Sequence, residues 1–404
     1  MTDRSWPIEK LGRTARIGNG STPRRDSTIY WDSGDVPWLN SSVVNKSRVT
    51  QAEQFVTPVA LQECHLPVVA PGSVLVGLTG QGKTRGMATI LDIEATLNQH
   101  IAYVTPDPSR WFPEYLLWSL RSAYDELRCL SEENGSTKGG LTCEALKQFR
   151  LVVPPFGYQR VIANYLDRET ARIDTLIEEQ QRLIELLRER RNAVLSEAFS
   201  AGPSTEMTRV GRLLSARPSY GVLVPKYVDE VEGVPFVRVG DILNLDTERP
   251  LLAIAPEQSN EYSRTRISGG EVLLGVVGKM GQAAVAPRWL AGANVARAVA
   301  VLRCRDAVVA PLLCAWLGSN DFLRQAELAT SGDSIQPTLG MKDLARFDIN
   351  LPTHPRAAAD LAAQTAKIDT LIAEAERFIE LADERRSALI TAAVTGQIDV
   401  REAA

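Results

Sequence analysis

The chain has 404 residues, 44% of them hydrophobic and 23% charged, with a net charge of −4. This is the composition of a soluble globular protein, and the length suffices for two or three domains. The five cysteines form no C-x-x-C pair and there are only three histidines, which argues against a disulfide framework or a zinc ribbon. We expect no metal, no cofactor, no signal peptide and no membrane span, and therefore a cytoplasmic protein.

The first 150 residues have the pattern of an α+β domain. β-Branched residues at Val74–Val76, bounded by glycine, predict a buried strand, and Ala102–Val104 predicts another. Between Trp111 and Leu130 the apolar residues recur at helical spacing instead. Residues 1–150 carry 16 basic and 16 acidic residues. Its net charge therefore does not indicate nucleic-acid binding, although a local basic face is compatible with it.

A long amphipathic helix is predicted after Pro155. From about Tyr158 to Phe199 there is no proline, and apolar residues recur every three or four positions with a heptad tendency. The sequence Ala201-Gly202-Pro203 ends the pattern. A helix of about 40 residues is roughly 60 Å long. Its apolar stripe must be covered by another surface.

The second half of the chain repeats the first. The run GSVLVGLTG starts at Gly72 and GEVLLGVVG starts at Gly270, which is 198 residues later. In the helices the offset is 195, because IDTLI starts at Ile173 and again at Ile368, and ERR also recurs at that offset. Constant offsets over such distances indicate an internal duplication of a domain plus a helix, with a period far too long for a solenoid.

We therefore predict two similar α+β domains, residues 1–155 and 203–352, separated by two long helices, residues 156–202 and 353–404. Pairing the helices as an antiparallel coiled coil would cover both stripes, and the alternative is that each helix packs on its own domain. The residues predicted to pack between the helices are Ile173, Leu176, Ile177, Ile184, Leu187, Ile368, Leu371, Ile372, Phe378 and Ile379.

One glycine-rich run matches a nucleotide-binding pattern. Gly77–Thr84 fits G-x-x-x-x-G-K-[ST], in which Lys83 would contact phosphates and Thr84 a magnesium ion. That loop requires a helix directly after Thr84, yet the following residues predict a strand. The equivalent run, Gly275–Gly281, also lacks the Lys-Thr pair. A turn near a basic surface is therefore favoured over a nucleotide site.

We predict no catalytic site. The sequence VPPFG at Val153–Gly157 is similar to the N/D-P-P-Y/F motif of amino-methyltransferases, but Val153 stands where that chemistry needs a polar side chain, and no glycine-rich cofactor loop precedes it. His65, His100 and His354 have no obvious partners in the sequence. The acidic residues of the helices are interpreted as solvated faces.

The layout resembles the DNA-specificity subunits of type I restriction-modification systems. The resemblance covers essentially the whole chain and is carried by WPIEKLGRTARIGNGSTPRRD, by NGSTKGGLTCEALKQFRLVVPP and by the repeated helices. The start of the central helix is its most specific part, with Pro155, Gln159, Ile162, Ala163, Leu166 and Asp167. The start of the C-terminal helix departs from this pattern. In the second domain, Arg217–Tyr220 stands where the first domain has the pair Thr22-Pro23.

The resemblance implies a non-catalytic subunit that binds double-stranded DNA. Each domain would be a target-recognition domain for one half of a bipartite, asymmetric site, and the helices would set the distance between the half-sites. The helices would also bind modification (methyltransferase) subunits, two in number, and restriction (motor-nuclease) subunits would join the complex. The repeated IDTLI and ERR motifs would then be two similar surfaces for partners.

Polar residues in the predicted loops are the candidates for DNA contact, because phosphates and base edges are bound by cationic, amide and hydroxyl side chains. In the first domain these are Ser21, Thr22, Arg24, Arg25, Asn40, Ser41, Asn45, Lys46, Gln81, Lys83, Arg85, Ser136, Thr137 and Lys138. In the second domain they are Ser219, Tyr220, Arg238, Lys279, Gln282, Ser334 and Gln336.

Two other functions compete with DNA reading. One is a nucleotide hydrolase that uses Gly77–Thr84, which predicts that Lys83→Ala abolishes an ATPase activity of the isolated chain. The other is a tandem scaffold that binds only proteins, which predicts no sequence preference when the chain is combined with a methyltransferase.

Overall fold

A computed structural model describes residues 6–80, 82–132, 140–229, 231–245, 247–278, 280–330 and 338–400. The chain divides into two units. Unit 1 comprises Met1–Glu179 and Phe378–Ala404, and unit 2 comprises Gln180–Arg377. Each unit therefore combines one globular domain with a part of each long helix. Among the described helices, none is long and apolar enough to cross a membrane.

The domain of unit 1 alternates short strands and short helices, and it leads into the central helix. In chain order the elements are β1 Ile8–Lys10, β2 Ala15–Asn19, α1 Thr28–Trp31, β3 Val36–Leu39, β4 Arg48–Val49, β5 Gln54–Val56, α2 Pro58–Glu63, β6 Val74–Gly77, β7 Ala88–Leu91, β8 Thr96–Leu97, β9 Ile101–Pro106, α3 Pro113–Ser122, α4 Tyr124–Glu132, α5 Cys143–Gln148, β10 Arg150–Val152 and α6 Phe156–Ala198.

A five-stranded sheet forms the centre of this domain, in the order β2-β9-β6-β7-β4, and a three-stranded sheet has the order β5-β3-β8. Side chains of a strand alternate between its two faces. Val74 and Val76 of β6 therefore join one core with α3 and α6, whereas Leu75 between them joins a second core with Leu39 and Leu97. Burial on both faces explains why β6 is a continuous apolar run.

The domain of unit 2 has a similar series of elements. In chain order they are β11 Thr205–Arg209, α7 Val210–Leu213, β12 Ser219–Tyr220, β13 Tyr227–Val228, β14 Val234–Val237, β15 Ala253–Ile254, α8 Pro256–Glu261, β16 Val272–Gly275, β17 Ala283–Val285, β18 Asn294–Val295, β19 Val299–Leu302, α9 Val309–Leu317, α10 Asn320–Thr330, α11 Met341–Leu344, β20 Asp348–Pro352 and α12 Ala357–Val394.

Eight strands of unit 2 form two four-stranded sheets, β12-β19-β16-β17 and β13-β15-β14-β18, and β11 pairs with β20. Strand β16 is the counterpart of β6, since Val272 and Leu274 face one core while Leu273 faces another. The prediction of two similar α+β domains with two long helices is thus confirmed. The helical spacing between Trp111 and Leu130 corresponds to two consecutive helices, since α3 ends at Ser122 and α4 begins at Tyr124.

The start of α6 is fixed to the domain of unit 1. The fully buried amide of Gln159 donates from Nε2 to the carbonyl oxygens of Arg110 and Pro154 and accepts from the backbone N–H of Phe112 through Oε1. Ile162, Ala163 and Leu166 are buried in the same core as α3. The most specific part of the family motif therefore makes the joint between domain and helix.

The two long helices also contact each other within each unit. In unit 2, Arg188 Nη2 lies 3.1 Å from Glu376 Oε1 and Arg191 Nε lies 2.7 Å from Asp369 Oδ1, a register in which the helices run antiparallel. In unit 1, Arg386 Nε lies 3.0 Å from Asp174 Oδ1. Each long helix thus packs both on a domain and on the other helix, so the two predicted alternatives are combined.

Candidate nucleic-acid interface

Four loops of unit 1 converge at one end of the strands of the central sheet. They follow β2, β3 and β6 and precede β9, so the order of the strands brings them together. The backbone N–H of Gly20 donates to Asn98 O at 3.2 Å, that of Asn98 to Leu39 O at 3.0 Å, and that of Leu78 to His100 O at 2.9 Å. These bonds join the four loops into one polar surface.

A hydrogen-bonded network occupies this surface. Thr22 Oγ1 donates to Gln99 Oε1 at 2.6 Å, and Asn19 Nδ2 donates to the carbonyl oxygen of Gln99 at 3.3 Å. Gln99 Nε2 lies 3.2 Å from His100 Nε2, while His100 Nδ1 lies 3.1 Å from Thr79 Oγ1. Gln99 is exposed, so its amide is held in place and still faces solvent.

Arginine and tryptophan side chains order the loop after β2. The guanidinium carbon of Arg25 lies 4.1 Å from the centre of the Trp31 ring and 4.8 Å from that of Trp38, a geometry in which ring and cation attract each other. The indole N–H of Trp31 donates to Arg24 O, and that of Trp38 donates to Ser21 O. The chain from Ser21 to Arg25 is therefore rigidly presented.

The glycine-rich run at Gly77–Thr84 is a turn between two strands. The N–H of Gly86 donates to Gly77 O and that of Met87 to Thr84 O, after which β7 begins. Helix α4 holds the turn from outside, because Tyr124 Oη donates to Lys83 O at 3.0 Å and Arg128 Nη1 donates to Gly82 O at 2.6 Å. In the described residues after Thr84 the chain continues into β7, as the sequence predicted, where a phosphate-binding loop would require a helix.

Other predicted contact residues of unit 1 are engaged in local bonds. Ser21 Oγ donates to Cys64 O, and Arg24 pairs with Asp26 at 2.9 Å. Asn40 caps the short 3-10 helix Ser41–Asn45 by accepting from the N–H of Ser42. Asn45 Nδ2 lies 3.5 Å from Thr84 Oγ1, which leaves Asn45 at the same surface.

Lys46 and Arg85 occupy different environments. Lys46 Nζ lies 2.8 Å from Glu53 Oε1, and this hydrogen bond lowers the pKa of the Glu53 carboxyl. Arg85 was predicted to contact DNA. The structure buries it, with 7% of its surface exposed, so it is not on the surface that the four loops form. The remaining candidates of this domain lie outside the described residues; they are Gln81, Ser136, Thr137 and Lys138.

In unit 2 the predicted residues are more dispersed. Ser219 and Tyr220 form β12, and Tyr220 Oη donates to Leu339 O at 2.6 Å; burial raises the pKa of this phenol. Arg238 pairs with Asp241 at 3.2 Å in front of a 3-10 helix. Gln282 directly precedes β17 and is half-buried. Three candidates lie outside the described residues: Lys279, Ser334 and Gln336.

The residues that connect the loops were not predicted from the sequence. Asn19, Gln99 and His100 were not among the candidates, although the structure places them in the network of unit 1. The repeat identifies the residue of unit 2 that is equivalent to Gln99. It is Arg297, which lies 198 residues later in the chain. Arg297 is exposed, and its backbone N–H donates to Val222 O.

The ten helix residues predicted to pack between the helices fall into three groups. Ile173 and Ile184 are buried, and Leu176, Leu371 and Phe378 are exposed by 43%, 48% and 41%, so these three do not fill the contact between the helices. The other five are half-buried: Ile177, Leu187, Ile368, Ile372 and Ile379.

Six exposed apolar residues of the long helices form two matching sets. Leu176, Phe378 and Leu381 belong to unit 1, and we call them the first apolar set. Leu371, Leu183 and Leu186 belong to unit 2 and form the second apolar set. The sets correspond residue by residue at the offset of 195. The duplication has thus given each unit the same uncovered apolar positions.

The motifs IDTLI and ERR, which the family resemblance assigned to partner surfaces, contact each other. Asp174 and Asp369 are the acidic residues of the two IDTLI copies, and Arg191 and Arg386 end the two ERR copies. They form the pairs Asp174–Arg386 in unit 1 and Asp369–Arg191 in unit 2, both through Arg Nε and Asp Oδ1. One contact between helices therefore occurs twice.

Comparisons with known proteins agree with this architecture. Residues 4–187 match the family described as type I restriction modification DNA specificity domain. Two specificity subunits from Escherichia coli are similar in sequence: that of EcoBI is 24% identical over 314 residues, and that of EcoR124I/EcoR124II is 21% identical over 177 residues. The matches cover 70% and 44% of this chain, and 64% and 44% of those proteins, less than two thirds of either.

Solved structures show the same fold. A chain from work on complex assembly and conformational transition of the type I R-M system gives a TM-score of 0.73 at 17% identity, with 97% of this chain and 98% of that chain covered. The HsdS subunit from Thermoanaerobacter tengcongensis gives 0.55 at 16% identity, with 98% of each chain covered. The family match and the two sequence relatives confirm the resemblance to type I specificity subunits, and the solved structures confirm the fold.

Proposed function

We propose that this chain reads a bipartite DNA target with one domain for each half-site, as a type I specificity subunit. The observation that carries the proposal is a repeated frame with different loops. Strands β6 and β16 align, as do β9 and β19, yet α1 in the segment after β2 is replaced by β13 in the segment after β12. Two different surfaces on one frame are what an asymmetric target requires.

The chemistry of the loops in unit 1 fits DNA. They present amides, hydroxyls, an imidazole and the cations Arg25 and Lys83, which are groups that bind phosphates and base edges. Rigid presentation matters because a base edge is discriminated by hydrogen bonds in fixed positions. The Trp31–Arg25–Trp38 arrangement and the bonds from Tyr124 and Arg128 supply that rigidity.

The helices are proposed to bind two copies of one methyltransferase subunit. An apolar side chain left in water is unfavourable, and exposed apolar patches on soluble proteins commonly mark sites of association. The first and second apolar sets are the same positions of the repeat, one set in each unit. Equivalent surfaces favour two copies of one partner. Methylation and cleavage would then be performed by other chains, with restriction subunits joining the same complex.

We further propose that the lengths of α6 and α12 fix the number of base pairs between the half-sites. A helix rises 1.5 Å per residue and DNA about 3.4 Å per base pair. Removing seven residues from each helix should therefore shorten the unread spacer by about 3 base pairs. An unchanged spacer in the selected sites would contradict this role of the helices.

The decisive experiment is to map methylated bases in genomic DNA from cells with and without this chain. We expect a bipartite motif that disappears without the chain. Exchanging residues 1–150 for those of another specificity subunit should then change one half of the motif and leave the other intact. A change in both halves, or a methylation pattern that does not depend on the chain, would overturn the proposal.

A further inference from the structure

We propose that Gln99 reads an adenine in the half-site bound by the first domain and that Arg297 reads a guanine in the other half-site. This inference rests on the proposed function and makes it specific. The two residues occupy the same place in the repeat, 198 positions apart, each the second residue after its strand, β8 or β18. Both are exposed.

The hydrogen bonds of Gln99 determine what it can still bind. A glutamine amide has two acceptor sites on Oε1 and two N–H donors on Nε2. One acceptor site is used by Thr22 Oγ1 and one donor by His100 Nε2. One acceptor site and one donor therefore remain. Adenine presents the matching pair in the major groove, its N6 amino group as donor and N7 as acceptor.

The network also holds the amide in place. Because Nε2 of Gln99 can only donate, His100 Nε2 must accept, and the imidazole proton then lies on Nδ1 and is donated to Thr79 Oγ1. An inverted amide would donate to Thr22 Oγ1 and accept from the other tautomer of His100, so it would keep the same one free acceptor site and one free donor. Thr22 and His100 thus act as positioning residues for an adenine reader.

The second domain offers different chemistry at the same place. Ala298 stands where the first domain has His100, and Val277 where it has Thr79, so the network that orients an amide is not repeated. Among the described residues the guanidinium of Arg297 has no hydrogen-bond or ion-pair partner. An arginine fork binds the O6 and N7 acceptors of guanine with two parallel hydrogen bonds, and this is the commonest specific contact of its kind.

The test is selection of binding sites from randomised double-stranded DNA by the full chain in complex with its methyltransferase. The unaltered complex should select a bipartite motif with an adenine in one half and a guanine in the other. Gln99→Ala should reduce the preference for that adenine about 5- to 150-fold, the range that one bidentate contact provides. Gln99→Arg should convert the preference at that position to guanine.

The chain supplies its own controls. Arg297→Ala should relax the guanine and leave the adenine unchanged, and Arg297→Gln should not alter the first half-site. Thr22→Val, which removes the bond to Oε1, should weaken discrimination at the position read by Gln99 and at no other. Gln148→Arg in α5 adds the same charge outside the four loops and should change no base preference.

The outcomes separate the two proposals. If the unaltered complex selects no bipartite motif, the proposed function fails and the base assignments fail with it. If a motif is selected but Gln99→Ala and Gln99→Arg leave every position unchanged, the assignment of adenine is wrong while DNA reading stands. If Arg297→Ala leaves the second half-site unchanged, the assignment of guanine is wrong in the same way.

Discussion

Units 1 and 2 share a tryptophan that is bonded differently in each. Trp118 and Trp316 lie 198 residues apart in the chain, and both are buried. Trp118 Nε1 donates to Asp167 Oδ1 of the long helix α6 at 2.8 Å, whereas Trp316 Nε1 donates to Asp321 Oδ2 of the neighbouring α10 at 3.1 Å. The tryptophan is repeated, but its hydrogen bond to a long helix is found in unit 1.

This difference follows from the start of the two helices. Asp167 is replaced by Ala362 in α12, and Gln159 is replaced by His354. Leu361 is nevertheless buried in the core of unit 2, as its counterpart Leu166 is in unit 1. The apolar contact between domain and helix has thus been kept in both copies, while the polar contacts are found in the first. Packing is the part of the joint that the duplication retained.

The largest effect is expected from two glycines that follow β2 and β12. A Cβ atom on Gly20 would lie 1.6 Å from Leu97 O, and one on Gly221 would lie 1.9 Å from Val295 O. Because both obstacles are backbone atoms, Gly20→Ala or Gly221→Ala should destabilise its own unit by about 3 kcal/mol or more. Hydrogen exchange measured by mass spectrometry should show the loss of protection in the altered unit.

The glycine pair also tests how independent the units are. Gly82→Ala is a matched control, because a Cβ atom there would meet no atom within 4 Å. It should leave protection unchanged. Equal loss of protection in both units after Gly20→Ala would show that they unfold together and would contradict the division into two units.

A smaller but still large effect is expected at the apolar sets. Replacing Leu176, Phe378 and Leu381 by serine should weaken one methyltransferase site about 100-fold, at roughly 1 kcal/mol for each half-exposed side chain. Native mass spectrometry should then show one bound subunit instead of two. The equivalent serine variant of Leu371, Leu183 and Leu186 should remove the other subunit. Two bound subunits in both variants would rule out these sets as the docking surfaces.

The bonds of the paired tryptophans come next. Asp167→Ala leaves a buried indole N–H without a partner and should cost about 1–3 kcal/mol. Since the bond joins a domain to a helix, exchange should increase at the start of α6. Asp321→Ala should cost at least as much, because Asp321 also accepts from Arg324 and Gln325, but it should leave the start of the long helix α12 unchanged. If Asp167→Ala left the start of α6 as protected as before, the bond would not contribute to the joint.

The sequence allowed the frame to be predicted because the frame repeats. Offsets of 198 and 195 in the sequence identified the corresponding strands of the two domains, the two long helices and the correspondence of Gly72 with Gly270. Stripes at helical spacing identified the helices but not which apolar residue faces which surface. Leu176 and Phe378 were assigned to packing between the helices, yet they are exposed, because the helices also contact the domains.

The proposed DNA-reading surface could be predicted only in part. Loop residues such as Thr22 and Asn45 were identified from their polarity and position, and both are at the surface where the loops converge. Gln99 and His100 were missed because their role depends on bonds to residues about 80 and 20 positions earlier in the chain. Arg85 had the right chemistry but is buried. Contacts distant in the chain, rather than residue type, decide which polar groups are presented.

The smallest effect is expected at the duplicated ion pair between the helices. Asp174 and Arg386 are both partly exposed, as are Asp369 and Arg191, and solvent screens such pairs. A double-mutant cycle with alanine should give a coupling free energy of about 0.2–1 kcal/mol for each pair. The two values should agree, because both pairs use the same atoms at nearly the same distance. Raising the salt concentration should reduce both in parallel. A coupling found for one pair and absent for the other would show that the duplication preserved the motif in only one of the two units.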